Sequence, residues 1–255
     1  IPALDEVCES VGVKSVERLF VSNSDMARSR GMHRWYLVSF DDQVNPFEMA
    51  ELFSSLACVD KVQYNTVVSR DYGSEGTPYS YAPKAYGEFA LPYNDPLLPD
   101  QWHYVNNLDI SVAETSRSGA DINVKNAWKL CAGDPMVIVA VCDEGVKYNH
   151  PDLIDNMWVN EDEIPGNGID DDNNGYVDDI HGWNFLSTSD YPKTISWSED
   201  GDKGHGTHVA GTVAAVNHNG IGVGGVAGGS GKGDGVKIMS CQVFSGKSSA
   251  TVAAR

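Results

Sequence analysis

A run of small residues between Gly204 and Thr212 constrains the fold of this chain more than any other feature of its sequence. It reads Gly-His-Gly-Thr-His-Val-Ala-Gly-Thr, so a helix built from it carries little bulk and can approach a neighbouring sheet closely. His205 stands at the start of this predicted helix. An imidazole at a helix N-terminus beside a cleft can serve as a general base.

A second constraint comes from an uninterrupted apolar run over residues 136–142, which ends at Asp143. Such a run predicts a strand that is buried on both faces. A carboxylate directly after it lies at the carboxyl edge of a parallel sheet. Asp143 can then orient His205 and stabilise the imidazolium without taking up the proton itself. These two residues form two thirds of a catalytic triad.

The third member of such a triad, a serine, has no matching motif in this chain. Ser116 and Ser118 precede the aspartate, and Ser230 lies in a glycine-rich loop that fits neither an esterase elbow nor a phosphate-binding loop. A zinc site at His205 and His208 is disfavoured, because a zinc-peptidase helix needs histidines four residues apart with a glutamate between them.

Buried strands and helices alternate from residue 121 onward, which predicts an α/β fold with a doubly wound parallel sheet. The helical pattern still continues at Arg255, so we expect the sheet domain to be incomplete there, at a truncation or a nick. The predicted strands are 136–142 and 236–244, and the predicted helices are 124–131, 205–216 and 248–255.

The chain divides by composition into residues 1–70, 71–94 and 95–255. The first part predicts a small α+β domain. The second part is rich in Gly, Pro, Ser and Tyr and predicts a linker. In the first part the predicted helices are 3–11 and 45–53, the latter capped by Asn45, and the predicted strands are 15–21, 32–40 and 59–68.

Charge and hydropathy exclude several classes of protein. Residues 152–202 contain 14 acidic side chains and one lysine, so they hold most of the net charge of −18. A nucleic-acid partner would need the opposite sign. The longest apolar run has seven residues, which is too short to span a membrane, and no signal peptide opens the chain. We expect an N-terminus that was processed or trimmed.

The five cysteines are dispersed and odd in number, so they cannot all pair with one another. Cys142 and Cys241 each end an apolar run. We expect both to be buried free thiols.

Oxygen-bearing side chains recur at alternate positions from Asp170 to Asp179, with Gly175 for a sharp turn. This pattern matches the first half of a calcium loop, although no glutamate stands at the twelfth position of a regular EF-hand. A solvated acidic loop is the alternative. The candidate ligands are Asp170, Asp172, Asn174, the carbonyl of Tyr176, Asp178 and Asp179.

Residues 205–211 resemble the histidine motif of the subtilisin-like serine peptidases, the subtilases. Residues 137–145 resemble the aspartate motif of that family, although Glu144 stands where the family usually has Ser or Thr. The order Asp, His and a later Ser is that of the family. The resemblance covers roughly residues 95–255. It implies a serine endopeptidase whose nucleophile and side-chain oxyanion donor lie beyond Arg255 and whose C-terminal half packs against this chain.

The same resemblance implies further sites and partners. Residues 1–70 resemble an inhibitory propeptide, which implies an intramolecular inhibitor cleaved between about residues 70 and 93 and an extracytoplasmic protein. Peptide or protein substrates would pair with an edge at Phe244, Ser245, Gly246 and Ser248. A second, weaker structural calcium site would comprise Gln101, Asp152, Val216, Asn217, Ile221 and Val223.

Two other functions are compatible with these features. One is a catalytically inactive subtilase-like domain used for binding. The other is a calcium-stabilised structural module.

Overall fold

A computed structural model describes residues 2–20, 25–41, 43–69, 91–108, 116–186, 195, 204–243 and 247–249. The chain forms two compact units. The first comprises residues 1–70, 173–175 and 246–255, and the second comprises residues 71–172 and 176–245. Among the described residues, no helix has the length and apolarity that crossing a membrane requires.

The first unit contains two pairs of antiparallel strands. Strand β1 pairs with β2, and strand β3 pairs with β7 so that Val67 lies opposite Ser249. Asn45 caps helix α3 as predicted, because its side-chain oxygen accepts a hydrogen bond from the backbone N–H of Phe47 at 3.0 Å. The helices are α1 (Pro2–Ser10), α2 (Asp25–Ser29) and α3 (Pro46–Ser54), and the strands are β1 (Val13–Arg18), β2 (Tyr36–Phe40), β3 (Val67–Ser69) and β7 (Lys247–Ser249).

Two predictions for this unit are wrong. The strand predicted over 59–68 is confined to Val67–Ser69, and the helix predicted to begin at Ser248 is a strand over its described residues. Both outcomes follow from one strand pairing. Strands β3 and β7 hydrogen-bond to each other over three residues each, and this tertiary pairing overrides the local helical preference of the segment that begins at Ser248.

The second unit is built on a three-stranded parallel sheet in the order β4–β6–β5, which confirms the α/β class with a parallel sheet. Helix α5 packs on β4 and β6. Several elements are shorter than predicted, and the helix predicted over 124–131 is a single turn. The strands are β4 (Ile138–Asp143), β5 (Gly182–Asn184) and β6 (Lys237–Gln242), and the helices are α4 (Val124–Ala127) and α5 (His205–Ala214).

Strand β4 is not buried on both faces, as its apolar sequence predicted. Val141 is 5% exposed and packs in the core beneath α5, whereas Ile138 on the opposite face is 48% exposed. Within the described residues, helix α5 covers only one face of the strand. The apolar sequence of a strand does not by itself determine whether one or both of its faces are packed against other elements. The core on the covered face comprises Val141, Val146, Leu153, Met157, Ala210, Ala214, Val236 and Ile238.

A second apolar cluster surrounds Tyr104, which is fully buried. The Tyr104 hydroxyl donates a hydrogen bond to the carbonyl of Gly224 at 2.8 Å. Burial raises the pKa of Tyr104 to about 12. This cluster therefore anchors the loop that follows α5 to the N-terminal part of the second unit.

One buried amide joins the C-terminal end of α5 to the glycine-rich loop after it. Asn156 is 1% exposed, and its Nδ2 donates to the carbonyls of Ala214 at 3.0 Å and Gly228 at 3.1 Å. A methyl group added at Gly235 would lie 2.5 Å from Nδ2 of Asn156, so the loop closes tightly around this amide. The orientation of α5 depends on these bonds.

Replacing Asn156 by alanine should lower the free energy of unfolding by about 2 kcal/mol, because the buried carbonyl of Ala214 loses its side-chain donor and that of Gly228 keeps only the bond from the N–H of Asn217. The measurement is urea unfolding of the full-length protein. Asn126→Ala is the control, since Asn126 is exposed and should change stability by less than about 0.5 kcal/mol. Equal destabilisation by the two substitutions would contradict this role for Asn156.

Candidate active site

The structure brings His205 and Asp143 together although they are 62 residues apart. Nδ1 of His205 lies 2.9 Å from Oδ1 and 2.8 Å from Oδ2 of Asp143. The histidine side chain is 41% exposed and the aspartate side chain 16% exposed. The imidazole therefore faces solvent while the carboxylate that holds it is largely enclosed.

The loop after β4 is fixed to the elements on both sides of it. The Asp143 Oδ1 atom also accepts a hydrogen bond from the backbone N–H of Glu144 at 2.7 Å. The N–H of Val146 donates to the hydroxyl of Ser240 on β6 at 3.1 Å. The N–H of Lys147 donates to the hydroxyl of Thr207 on α5 at 3.0 Å. These bonds hold the carboxylate at the end of its strand against the first turn of the helix.

Gly206 permits the approach of α5 to this loop. It is buried, and a methyl group added there would overlap the carbonyl oxygen of Gly145 and lie 3.2 Å from Cβ of Asp143. Backbone atoms cannot move aside as the end of a flexible side chain can. The glycine beside His205 is therefore a geometric requirement for the contact between the imidazole and the carboxylate.

The pairing fixes which nitrogen of His205 can act as a base. An ionised carboxylate only accepts hydrogen bonds, so Nδ1 must carry the proton that is shared with Asp143. In the neutral imidazole the lone pair then lies on Nε2. That nitrogen can take a proton from a nucleophile, and Asp143 stabilises the cation that results.

His208 does not belong to this pair. It is exposed on the surface of α5. It acts instead on His103, whose pKa is lowered by burial and, to a smaller extent, by the nearby His208. A helix of small residues leaves its second histidine without bulky neighbours to cover it.

The predicted peptide-binding edge is only partly described. Phe244, Ser245 and Gly246 lie outside the described residues. Ser248 lies on β7, where its backbone is the register partner of Val68 on β3. Both strands belong to the first unit, so this pairing lies within that unit.

Three carboxylates converge in the acidic loop. They belong to Glu163, Asp172 and Asp179, and one oxygen atom from each lies within 4.8 Å of the others. Glu163 and Asp179 are buried, and Asp172 is exposed. Asn160 donates from Nδ2 to Asp172 at 3.0 Å and to Asp179 at 2.7 Å. Two of the predicted calcium ligands, Asp172 and Asp179, therefore meet at one point.

The sequence reasoning missed Glu163. Its two carboxylate oxygens accept hydrogen bonds from the backbone N–H groups of Asp171, Asp172 and Asp178, at 2.8, 3.3 and 2.9 Å. The loop therefore wraps around this side chain. The acidic run that contains Glu163 can be seen in the sequence. However, the number of residues between Glu163 and the other ligands matches no fixed ligand spacing, so the sequence does not single out Glu163.

The other predicted ligands of this loop do not belong to the convergent group. Asp178 turns to the backbone N–H groups of residues 166–168, from which its carboxylate accepts hydrogen bonds of 2.8 to 3.2 Å. Tyr176 packs its ring against Trp183, and burial raises the pKa of its hydroxyl. Asp170 is half-buried, and Asn174 is exposed.

The weaker calcium set is arranged around Asp152, which is 2% exposed. Its carboxylate accepts hydrogen bonds from the N–H of Val223 and from Nδ2 of Asn219, both at 2.9 Å. Burial raises the pKa of Asp152. Gln101 Oε1 accepts a bond from the N–H of Gly224 at 2.8 Å.

Other members of that set lie apart from Asp152 or meet it through the backbone. The Asn217 side chain is fully buried and donates to the carbonyls of Gly225 and Gly229, so Asn219 rather than Asn217 lies beside Asp152. The N–H of Val216 donates to the Asp152 carbonyl at 2.9 Å. Ile221 is exposed at the turn of the loop. The weaker site stays a prediction.

The region that contains His205 and Asp143 is also the region that matches known proteins. Residues 134–254 match the model of the Subtilase family. The chain is 49% identical over 135 residues to Subtilisin-like protease 1 of Plasmodium falciparum (isolate 3D7), covering 52% of this chain and 17% of that protein. It is 39% identical over 137 residues to Subtilisin-like protease 1 of Plasmodium vivax, covering 53% of this chain and 19% of that protein.

A solved complex of Aeromonas sobria serine protease with a chaperone matches 61% of this chain and 21% of that chain at 28% identity, with a TM-score of 0.40. The chain spans less than a fifth of the length of these curated relatives. Over residues 134–254 the chain is therefore similar to the subtilase family.

Replacing Gly206 by alanine should lower the free energy of unfolding by about 1–3 kcal/mol, because the added methyl overlaps backbone atoms of the loop. It should also lengthen the contact between His205 and Asp143. The measurements are denaturant unfolding and the downfield proton resonance of His205 Nδ1–H, which should shift or disappear.

Gly211→Ala on the same helix is the matched control. A methyl group there meets no atom within 4 Å, and alanine favours a helix over glycine by about 1 kcal/mol. This control should be neutral or stabilising. An unchanged His205 resonance in Gly206→Ala would contradict the close-approach account.

Proposed function

We propose that this chain forms part of a serine endopeptidase that hydrolyses peptide bonds through an Asp-His-Ser triad. The observation that carries the proposal is the contact of His205 Nδ1 with both carboxylate oxygens of Asp143, at 2.9 and 2.8 Å. The histidine lies at the start of a helix, the aspartate lies at the carboxyl end of a parallel strand, and the family match covers both residues.

In this mechanism Nε2 of His205 accepts the hydroxyl proton of the serine as its oxygen attacks the peptide carbonyl. Asp143 stabilises the imidazolium that forms, and the same proton then passes to the leaving amine. Water later attacks the acyl-enzyme with His205 again acting as the base. The half-exposed imidazole and the enclosed carboxylate suit these roles.

The serine and the side-chain oxyanion donor come, in this proposal, from sequence beyond the 255 residues. The relatives are more than five times longer than the matched region, which leaves room for both groups. The proposed C-terminal half packs on the face of β4 that carries the exposed Ile138. Burying that apolar face is its thermodynamic reason to bind, at about 25 cal/mol per Å² removed from water.

Residues 1–70 act, in this proposal, as an intramolecular inhibitor. Strand β3 pairs with β7 antiparallel within the first unit, with Val68 opposite Ser248, one of the residues that the family resemblance implies for peptide binding. Adding a strand to an exposed edge is a common mode of peptide recognition, in which the main chain supplies the affinity. A segment that fills this edge would exclude substrate until it is cleaved and released. Such a zymogen fits an extracytoplasmic peptidase.

The acidic loop binds, in this proposal, a structural calcium ion through Glu163, Asp172 and Asp179. Calcium prefers oxygen ligands at about 2.3–2.6 Å, so ligands on opposite sides of one ion lie about 4.6–5.2 Å apart. The three carboxylate oxygens lie within 4.8 Å of one another and therefore fit a single ion. Two of these carboxylates are buried, which makes their mutual repulsion costly without a cation.

In the full-length protein, His205→Ala and Asp143→Asn should each lower kcat/KM for peptide hydrolysis by at least about a thousandfold. The first substitution removes the base, and the second allows the wrong tautomer of the imidazole. Labelling of the active-site serine by a fluorophosphonate should fall in parallel.

His208→Ala is the control, because His208 lies one turn further along α5 and is exposed. It should keep most of the wild-type activity. A His205→Ala variant that keeps more than about a tenth of wild-type activity would contradict the assignment of His205 to a triad. Full-length wild type that neither hydrolyses peptides nor reacts with the fluorophosphonate would favour the inactive binding domain instead.

Calcium should raise the melting temperature of the full-length protein, because ligand binding to the folded state adds stability. Asp172→Asn and Glu163→Gln should each reduce the difference between melting temperatures in millimolar calcium and in chelator. Comparing this difference, rather than absolute stability, separates ion binding from the backbone hydrogen bonds that Glu163 accepts.

Glu161→Gln is the matched control, since Glu161 is an exposed carboxylate two residues earlier. It should leave the calcium-dependent difference intact. The calcium proposal fails if chelator does not lower the wild-type melting temperature, or if all three substitutions reduce the difference equally.

A further inference from the structure

Three sulfur-bearing side chains share one face of the parallel pair formed by β4 and β6. Cys142 and Cys241 are register partners across this pair. Met239 lies two residues before Cys241 on β6 and pairs with Ala140. Because alternate residues of a strand point to the same face, Met239 and Cys241 lie together and Cys142 faces them from the neighbouring strand.

This face is the one that α5 does not cover. Along β6 the alternate residues Ile238, Ser240 and Gln242 are buried, whereas Met239 and Cys241 are partly exposed. Cys142 is exposed and Cys241 is half-buried, so the prediction that both thiols are buried is wrong. All five cysteines are free thiols, as was predicted for this pair.

The two thiols are neighbours, because Cys142 and Cys241 are register partners and a side-chain hydrogen bond joins them. Trp183 on β5 is the register partner of Cys241 on its other side. Trp183 is 8% exposed, and its ring packs against that of Tyr176.

We propose that Cys142, Cys241 and Met239 bind one soft, monovalent metal ion, with copper(I) as the representative. Thiolate and thioether ligands select copper(I) over hard cations. On binding, each thiol loses its proton to solvent and forms a sulfur–copper bond, while Met239 donates a neutral lone pair. No electron is transferred, so the step needs no oxidant or reductant. The site lies on the face of β4 that the proposed C-terminal half covers, so it would be enclosed in the full-length protein. Its test measures copper(I) binding and not peptide hydrolysis, so the two proposals can fail separately.

The donor set favours copper(I) over zinc. A structural zinc site takes four ligands from Cys, His and carboxylate groups. The part of the chain that the structure describes contains one cluster of three or more such groups, and neither cysteine belongs to it. Two thiols and one thioether provide the low coordination number and the softness that copper(I) accepts. The oxygen-lined acidic loop and this sulfur cluster would therefore select opposite classes of metal ion.

The test is a titration of the reduced full-length protein with copper(I) alone, under anaerobic conditions and against a chromophoric copper(I) chelator. Wild type should take up one tightly bound equivalent. Cys142→Ser and Cys241→Ser should each weaken copper(I) binding by at least about tenfold. Met239→Leu, which keeps the volume of the side chain, should weaken it by a smaller factor and checks the site without disturbing the core.

Cys131→Ser is the matched control, because Cys131 is an exposed thiol whose Sγ donates only to the carbonyl of Gly133 at 3.5 Å among the described contacts. It should bind copper(I) as wild type does. Absence of a tight equivalent in wild type would overturn the site. So would unchanged binding in the Cys142→Ser and Cys241→Ser double variant, or an equal loss in Cys131→Ser.

Discussion

The close approach of helix α5 to the loop after strand β4 is the constraint on which the rest of the site depends. Gly206 leaves no room for a side chain between the helix and the backbone of Gly145. Only with that spacing does Nδ1 of His205 reach both oxygens of Asp143. Asn156 holds the other end of α5, so both ends of the helix are fixed by groups that have no chemical role.

The sequence predicted the parts of this arrangement that follow from periodicity and local chemistry. The apolar run before Asp143, the small residues after His205 and the cap at Asn45 all led to the observed elements. Each of these signals lies within a few residues of the element that it predicts. The family resemblance of the two motifs is confirmed by the match over residues 134–254.

What the sequence did not predict depends on contacts between distant residues. The role of Glu163 arises because the loop folds back so that three backbone N–H groups reach its carboxylate. The strand at Lys247–Ser249 exists because a partner strand lies beside it. Cys142 is exposed because, among the described residues, helix α5 covers only the opposite face of β4. Neither the hydropathy nor the spacing of the strand residues encodes which face a helix covers.

A structure of the full-length protein tests the central claim most directly, through the distance from Nε2 of His205 to the nearest serine hydroxyl. The account predicts a serine Oγ from sequence beyond residue 255 within about 3 Å, or slightly further in an unliganded state. It also predicts that Nδ1 remains on Asp143. A full-length structure in which no serine hydroxyl faces Nε2, or in which His205 has left Asp143, would contradict the assignment of these two residues to a triad.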